Sequence, residues 1–175
     1  MAGINRALSI NETKSRVNFS SNIKCVFISH QKRDTEKSKK IADYIMRSGI
    51  DVYFDEYDRD LRFYRQTNNP NGVVDCIKKG INMSTHMLCI ISVNTLDSKW
   101  VPWELGYGHE KTSQGILTLK GINDNELPDY LKTTKIVRGT KSLNIFLQNI
   151  SVGNNLVLEN HVSVNSLDDV LDWNL

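Results

Sequence analysis

The chain has 175 residues, of which 39% are hydrophobic and 24% are charged, as is typical of a soluble globular domain. Twenty-two lysines and arginines against 20 acids leave a net charge of only +2, which argues against nucleic-acid binding driven by overall charge. No apolar stretch approaches the roughly 18 residues of a membrane span, and residues 1–22 contain no hydrophobic signal core.

The predicted elements begin after a polar segment, residues 1–22, which we expect to be a loosely ordered arm with one helical turn. From residue 23 onward, short apolar runs alternate with helical patterns. Asp34 is the expected cap of the first helix of this series. The predicted strands are 23–29, 51–55, 86–92, 115–120 and 135–137, and the predicted helices are 34–49, 72–84, 99–111, 126–132 and 141–150.

The order of these elements predicts an α/β domain over residues 23–150. Near-continuous apolar runs are typical of strands buried on both faces, so we expect a parallel sheet with helices on both sides. Ser29-His30 and Asp55-Glu56 end the first two strands, at the edge where active sites of such folds gather. The tail, 151–175, is polar, and its "SLDDVLDW" segment predicts a short amphipathic helix packed on the domain.

The positions of the cysteines indicate the cellular compartment of the protein. Cys25 and Cys89 lie in apolar runs, and the three cysteines of the chain have no metal-ligand spacing. We therefore expect reduced thiols in a cytoplasmic protein, with no metal site.

The connection at residues 56–71, "EYDRDLRFYRQTNNPN", is unusually long for this class of fold. It contains three arginines, three acids and three aromatic residues, a mixture that is too aromatic for a typical disordered linker. We interpret it as a functional lid or contact loop.

The segment "SKWVPWELGYGHEK", residues 98–111, places Glu104 one helical turn after Trp100. Near a helix start, the positive end of the dipole favours an ionised carboxylate. Gly106 and Gly108 weaken a helix, which suggests that they allow close packing or the approach of a nucleotide. Taken alone, the segment favours an ordinary first-turn acid beside core tryptophans over a catalytic site.

Four segments in order resemble bacterial TIR domains over residues 23–150: "CVFISHQKRD", "GIDVYFDE", "CIKKGINMSTHMLCIIS" and "SKWVPWEL". The resemblance implies a flavodoxin-like fold with a five-stranded parallel sheet. It also implies cleavage of NAD at the nicotinamide–ribose bond, with Glu104 as the catalytic residue. Ser29, His30, Asp55 and Trp100 are then the expected substrate-binding residues.

The resemblance further implies that NAD is the substrate, that no other cofactor is used, and that the product is derived from ADP-ribose, cyclic or conjugated. In antiphage systems of the Thoeris type, such a product activates a partner effector. TIR enzymes work as assemblies, so self-association through residues 56–71 is expected.

Three alternatives stay open. They are a non-catalytic TIR adaptor, an enzyme resembling nucleoside deoxyribosyltransferases, and a receiver domain phosphorylated on Asp55. The receiver is disfavoured because Ser29-His30 stand where its acidic cluster belongs. The chain contains neither a P-loop nor a G-x-G-x-x-G motif.

Overall fold

A computed structural model describes residues 2–13, 23–151 and 167–172. Five parallel strands form one sheet in the order β2-β1-β3-β4-β5, which confirms the predicted flavodoxin-like α/β fold. The strands are β1 (Cys25–Ser29), β2 (Asp51–Tyr53), β3 (His86–Ile91), β4 (Ser113–Thr118) and β5 (Lys135–Arg138). Because the chain order reverses between β1 and β3, a crevice opens there at the carboxyl ends of the strands.

Helices cover both faces of this sheet. They are α1 (Arg6–Thr13), α2 (Thr35–Arg47), α3 (Arg59–Gln66), α4 (Pro70–Asn82), α5 (Val93–Leu96), α6 (Trp100–Gly108), α7 (Asp129–Lys132) and α8 (Gly139–Ser151). Single 3-10 turns follow β1 at Lys32–Asp34 and β2 at Asp55–Tyr57. Among the described residues, no helix has the length and apolar character that crossing a bilayer requires.

Two hydrophobic clusters form the core, one on each face of the sheet. One cluster joins α2 and α8 to the sheet, and the other joins α4 and α6 to it. β1 is buried along its whole length because its side chains alternate between the two clusters. All three cysteines are free and buried.

The amino-terminal arm is more structured than the single turn that we expected. Arg6 is buried and pairs with Asp51 at the start of β2, with 2.9 Å between Nε and Oδ2. The same guanidinium donates to the main-chain oxygens of Ile23 and Met83. A buried arginine with several acceptors anchors the two-turn helix α1 to the edge of the sheet. Residues 14–22 lie outside the described part of the chain.

The described part of the tail, 167–172, forms turns instead of the predicted amphipathic helix. Its apolar side chains Leu167, Val170 and Leu171 are buried in the cluster that contains α2 and α8. The main-chain N–H of Lys120 donates to the oxygen of Val170 at 3.0 Å. The segment therefore packs on the domain, as predicted, through these apolar side chains and this hydrogen bond. The rest of the tail prediction lies outside the described residues.

Residues 56–71 were predicted to be a long loop, and this prediction is wrong. Most of the segment is helical, because α3 occupies Arg59–Gln66. The side chain of Asp58 caps this helix by accepting from the N–H groups of Asp60 and Leu61, and Leu61 anchors it in the core. Arg59, Asp60 and Arg62 lie on the exposed face of this short helix.

Two helical glycines have opposite surroundings, which leads to a stability prediction. A Cβ added at Gly106 would meet no atom within 4 Å, so the close packing proposed for this residue is absent. A Cβ added at Gly80 would lie 2.5 Å from the ring of buried Tyr53. We expect Gly106→Ala to raise the free energy of unfolding by about 1 kcal/mol, and Gly80→Ala to lower it by about 1–3 kcal/mol. Denaturant unfolding measures both, and a destabilised Gly106→Ala protein would contradict the placement of α6.

Gly108, by contrast, does lie close to a neighbour, Met87.

Candidate active site

A buried contact between Ser29 and Glu104 lies in the crevice between β1 and β3. Ser29 ends β1 and is 1% exposed, while Glu104 comes from α6 and is 5% exposed. The hydroxyl of Ser29 donates to Oε2 of Glu104 at 2.5 Å. This bond links two residues that are 75 positions apart in the sequence and holds one carboxylate oxygen in a fixed place.

The local structure of α6 explains why Glu104 points inward. The Ser98 hydroxyl, two residues before the start of α6, accepts from the N–H of Val101 in the first turn at 3.3 Å. The buried side of the helix then comprises Val101, Glu104, Leu105 and Gly108, which have helical spacing. Glu104 is therefore not an ordinary exposed first-turn acid.

The protonation state of Glu104 differs from the one that the sequence predicted. Burial, reinforced by the negative charge of Asp55, raises the pKa of the Glu104 carboxyl to about 8. The hydrogen bond from Ser29 and the positive charge of Arg65 act in the opposite direction but are weaker. In the free protein at neutral pH, Glu104 is thus mostly protonated, because loss of hydration outweighs the helix dipole.

A second group of polar side chains surrounds His30, at the ends of β1 and β2. The imidazole of His30 is only 3% exposed. Its Nδ1 lies 3.7 Å from Oδ1 of Asp55, and its Nε2 lies 3.8 Å from Oε1 of Glu56. Arg65, from α3, lies 3.2 Å from Oδ2 of Asp55 and 3.6 Å from Oε1 of Glu56. Sequence reasoning placed Glu56 at this edge without giving it a role, and it missed Arg65 because it treated 56–71 as a separate loop.

The types of residue in this group also bear on metal binding. Ligand atoms of His30, Asp55 and Glu56 all lie within 4.8 Å of one another, and Oδ1 of Asp55 is buried without a hydrogen-bond donor. Imidazole and carboxylate ligands are suitable for a divalent metal. However, the guanidinium of Arg65 already contacts both carboxylates, and its positive charge opposes a second cation.

Asp34 has a different role from the helix cap that was predicted. Its carboxylate is buried and accepts from the hydroxyl of Ser92 at 2.5 Å and from the amide of Asn94 at 2.9 Å. No side-chain capping bond is formed at the start of α2. Asp34 therefore ties the turn after β1 to the end of β3, across the mouth of the crevice. A lone aspartate before a helix gives no sequence signal of this long-range contact.

Trp100 is the one predicted site residue that has no contact, among the described residues, with the other predicted site residues. It is 44% exposed, and its ring lies edge-on to that of Trp103, with 5.8 Å between centroids. Trp103 in turn stacks on Tyr107. The other four predicted residues, Ser29, His30, Asp55 and Glu104, lie together at the carboxyl edge of the sheet.

Comparison with known proteins agrees with this architecture. A family model described as the TIR domain matches residues 26–142. The chain is also 32% identical over 85 residues to a curated protein of Cytobacillus dafuensis named "Putative cyclic ADP-D-ribose synthase TIR2". That alignment covers 49% of this chain and only 22% of the relative's length. Since the family model spans well over half of the sequence, the chain belongs to the TIR domain family.

Proposed function

We propose that this protein cleaves the nicotinamide–ribose bond of NAD and releases nicotinamide and a product derived from ADP-ribose. The observation that carries the proposal is the buried carboxyl of Glu104, held by Ser29 at the switch point of the sheet. Burying an ionisable group in an otherwise apolar helix face costs stability, and such groups with displaced pKa values concentrate at functional sites.

The chemistry suits a single carboxylate. In the proposed reaction, the bond between the anomeric carbon and the pyridinium nitrogen breaks, and both electrons leave with neutral nicotinamide. Positive charge then develops on the ribose, as in glycoside hydrolysis. A carboxylate fixed beside the ribose stabilises this charge more in the transition state than in the ground state. Water or another acceptor hydroxyl adds to the anomeric carbon and loses its proton.

The raised pKa of Glu104 is compatible with this role. NAD carries a positive charge on its nicotinamide ring, and a nearby positive charge favours the ionised form of a carboxyl. Substrate binding would therefore supply the ionised Glu104 that the reaction needs. Ser29 keeps the carboxylate oriented, so we assign it a positioning role in addition to the nucleotide contact first expected.

The remaining predicted residues are assigned by place and chemistry. Asp55 is a suitable acceptor for ribose hydroxyls, and His30 lies against it at the same edge. Trp100, exposed at the start of α6, offers an aromatic surface to a flat ring. NAD is the substrate in this scheme, and we propose no additional cofactor and no resident metal.

The name of the curated relative supports a cyclic ADP-ribose product for this chain as well. We propose that the product is a signal that activates an effector protein, in cytoplasmic antiphage defence of the Thoeris type. This part of the proposal rests on the family and on that relative, of which the chain matches about a fifth.

Following the release of free nicotinamide from NAD tests the enzymatic proposal. The protein should be assayed alone, at high concentration, and with lysate of phage-infected cells as the activating stimulus. Chromatography of the products separates linear from cyclic ADP-ribose. If nicotinamide appears in none of these samples, the chain is a non-catalytic adaptor. A separate incubation with deoxynucleosides tests the other alternative: their consumption, without nicotinamide release from NAD, would identify a deoxyribosyltransferase-like enzyme.

Self-association through residues 56–71 leads to a further prediction. Phe63, on α3, is 58% exposed, and an exposed aromatic side chain flanked by arginines is typical of an interface hot spot. We expect the specific activity of the protein to rise with its concentration, and Phe63→Ala to abolish this rise while leaving the melting temperature unchanged. Arg65 is unsuitable for this test because it contacts Asp55 in the site.

The matched control is Tyr130→Ala, which removes an exposed aromatic side chain from α7. Specific activity that is independent of concentration in the wild type, or a Tyr130→Ala protein that behaves like Phe63→Ala, would overturn the assignment of the interface to α3.

A further inference from the structure

The strand that leads to Asp55 is short and lies at the edge of the sheet. β2 contains only Asp51–Tyr53, and it pairs with β1 on one side. The amino-terminal arm lies along its other side. Asn5 forms a parallel bridge with Val52, whose N–H donates to the main-chain oxygen of Ile4 at 2.9 Å. The arm therefore supplies the outer hydrogen bond of an edge strand that runs into the site.

Buried contacts fix the arm to the start of β2. Both carboxylate oxygens of Asp51 accept from the arm, Oδ1 from the N–H of Ile4 at 3.0 Å and Oδ2 from Nε of Arg6 at 2.9 Å. Gly3 lies so close to the strand that an added Cβ would be 2.1 Å from the main-chain oxygen of Ile50. A residue with a side chain does not fit there, so this close approach requires glycine.

The side chain of Asn5 links the arm to the far end of β2. Asn5 is buried, and its Oδ1 accepts from the N–H of Ala7, in the first turn of α1, at 3.1 Å and from the N–H of Phe54 at 3.3 Å. Phe54 directly precedes Asp55, and its ring packs against that of His30 with 4.9 Å between centroids. One side-chain oxygen thus joins α1 to the main chain that delivers Asp55 to the site.

The place of the Asp55 carboxylate depends strongly on this main chain. Its Oδ1 is buried and receives no hydrogen bond from the described residues, while its Oδ2 faces the partly exposed guanidinium of Arg65. The following turn is closed by the N–H of Asp58, which donates to the main-chain oxygen of Asp55 at 2.8 Å. Because few side-chain bonds hold this carboxylate, a shift of the main chain at Phe54 would move it.

We propose that Asn5 is a positioning residue for Asp55, and that the amino-terminal arm is in this way a working part of the active site. The inference rests on the proposed function, in which Asp55 accepts hydrogen bonds from the ribose. Asn5 acts through the main chain of Phe54 and does not itself touch the substrate. The competing interpretation is that Asn5 only caps α1, since asparagine is common at that position. A cap alone would contribute to stability and leave the turn at Asp55 unaffected.

Amide hydrogen exchange tests the inference without any turnover. In Asn5→Ala, the amides of residues 54–58 should exchange about tenfold faster than in the wild type, because the N–H of Phe54 loses its acceptor. Asn5→Asp retains an oxygen for both N–H groups and should restore slow exchange. Gly3→Ala is a second, independent variant. It keeps the side chain of Asn5 but forces the arm away from β2, and it should also speed the exchange.

Asn144→Ala is the matched control. It removes the same type of side chain from α8, where Oδ1 accepts from the hydroxyl of Tyr44 at 2.7 Å. We expect it to lower the melting temperature without changing exchange at residues 54–58. Exchange in Asn5→Ala that is as slow as in the wild type, or equally fast in Asn144→Ala, would overturn the inference and leave Asn5 as a helix cap.

Kinetics separate failure of the positioning role from failure of the proposed function. If NAD is cleaved, Asn5→Ala should lower kcat/KM by about tenfold or more, because a displaced Asp55 no longer orients the ribose. Asn5→Asp should recover most of the loss, and Asn144→Ala should match the wild type. Faster exchange with unchanged kcat/KM would overturn the positioning role. Faster exchange in a protein whose wild type releases no nicotinamide would support the link from Asn5 to Asp55 and overturn the NAD-cleaving function.

Discussion

Glu104→Gln should lower kcat/KM for NAD by about 10²–10³-fold or more, with the fold intact. Glutamine keeps the size of the side chain and can still bond to Ser29, but it lacks the negative charge that stabilises positive charge on the ribose. Removing a single preorganised electrostatic group from an active site typically has an effect of this size. Nicotinamide release measures it, and circular dichroism together with thermal unfolding checks the fold.

Glu110→Gln is the matched control, since Glu110 is exposed just beyond the end of the same helix. It should retain wild-type activity. Near-normal turnover in Glu104→Gln would remove Glu104 from the mechanism, and an equal loss in both variants would point to an indirect effect on α6.

The pH dependence of stability should also change in Glu104→Gln. The pKa of Glu104 is about 8 in the folded protein, against its ordinary value of 4.5 in the unfolded chain. Between these two values the folded state binds the proton more tightly than the unfolded state, so the free energy of unfolding falls as the pH rises. The contribution is present below the unfolded pKa and is lost as the pH passes through the folded pKa. Its size is of the order of a few kcal/mol.

Denaturant unfolding of the wild type and of Glu104→Gln at about pH 5, 7 and 9 isolates this contribution, because the other titrating groups cancel in the difference between the two proteins. We expect the free energy of unfolding of Glu104→Gln, relative to that of the wild type, to increase as the pH rises. At about pH 9 the variant should be more stable than the wild type. A difference that stays constant across the series would show that the carboxyl of Glu104 is hydrated and titrates normally. This measurement needs no substrate and is therefore independent of the proposed reaction.

Several features of this protein were determined by its sequence alone. The apolar runs fitted buried strands, and their alternation with helical patterns predicted the parallel sheet that the structure shows. Local periodicity is sufficient for this purpose, because a strand or helix is selected by residues that are close together in the chain. The segment around Glu104 also carried the family likeness that the TIR domain match confirmed.

Only the tertiary structure decided the chemistry of the site. The bond from Ser29 joins residues 75 positions apart, and the bond from Ser92 to Asp34 joins residues 58 apart. Arg65 became part of the site because α3 folds over Asp55 instead of extending as a loop. The raised pKa of Glu104 arises from burial and from the charge of Asp55 in the turn after β2, whereas the sequence showed only the dipole of the helix that carries Glu104. Hydration and long-range contacts are set by how the elements pack, so local sequence patterns do not contain them.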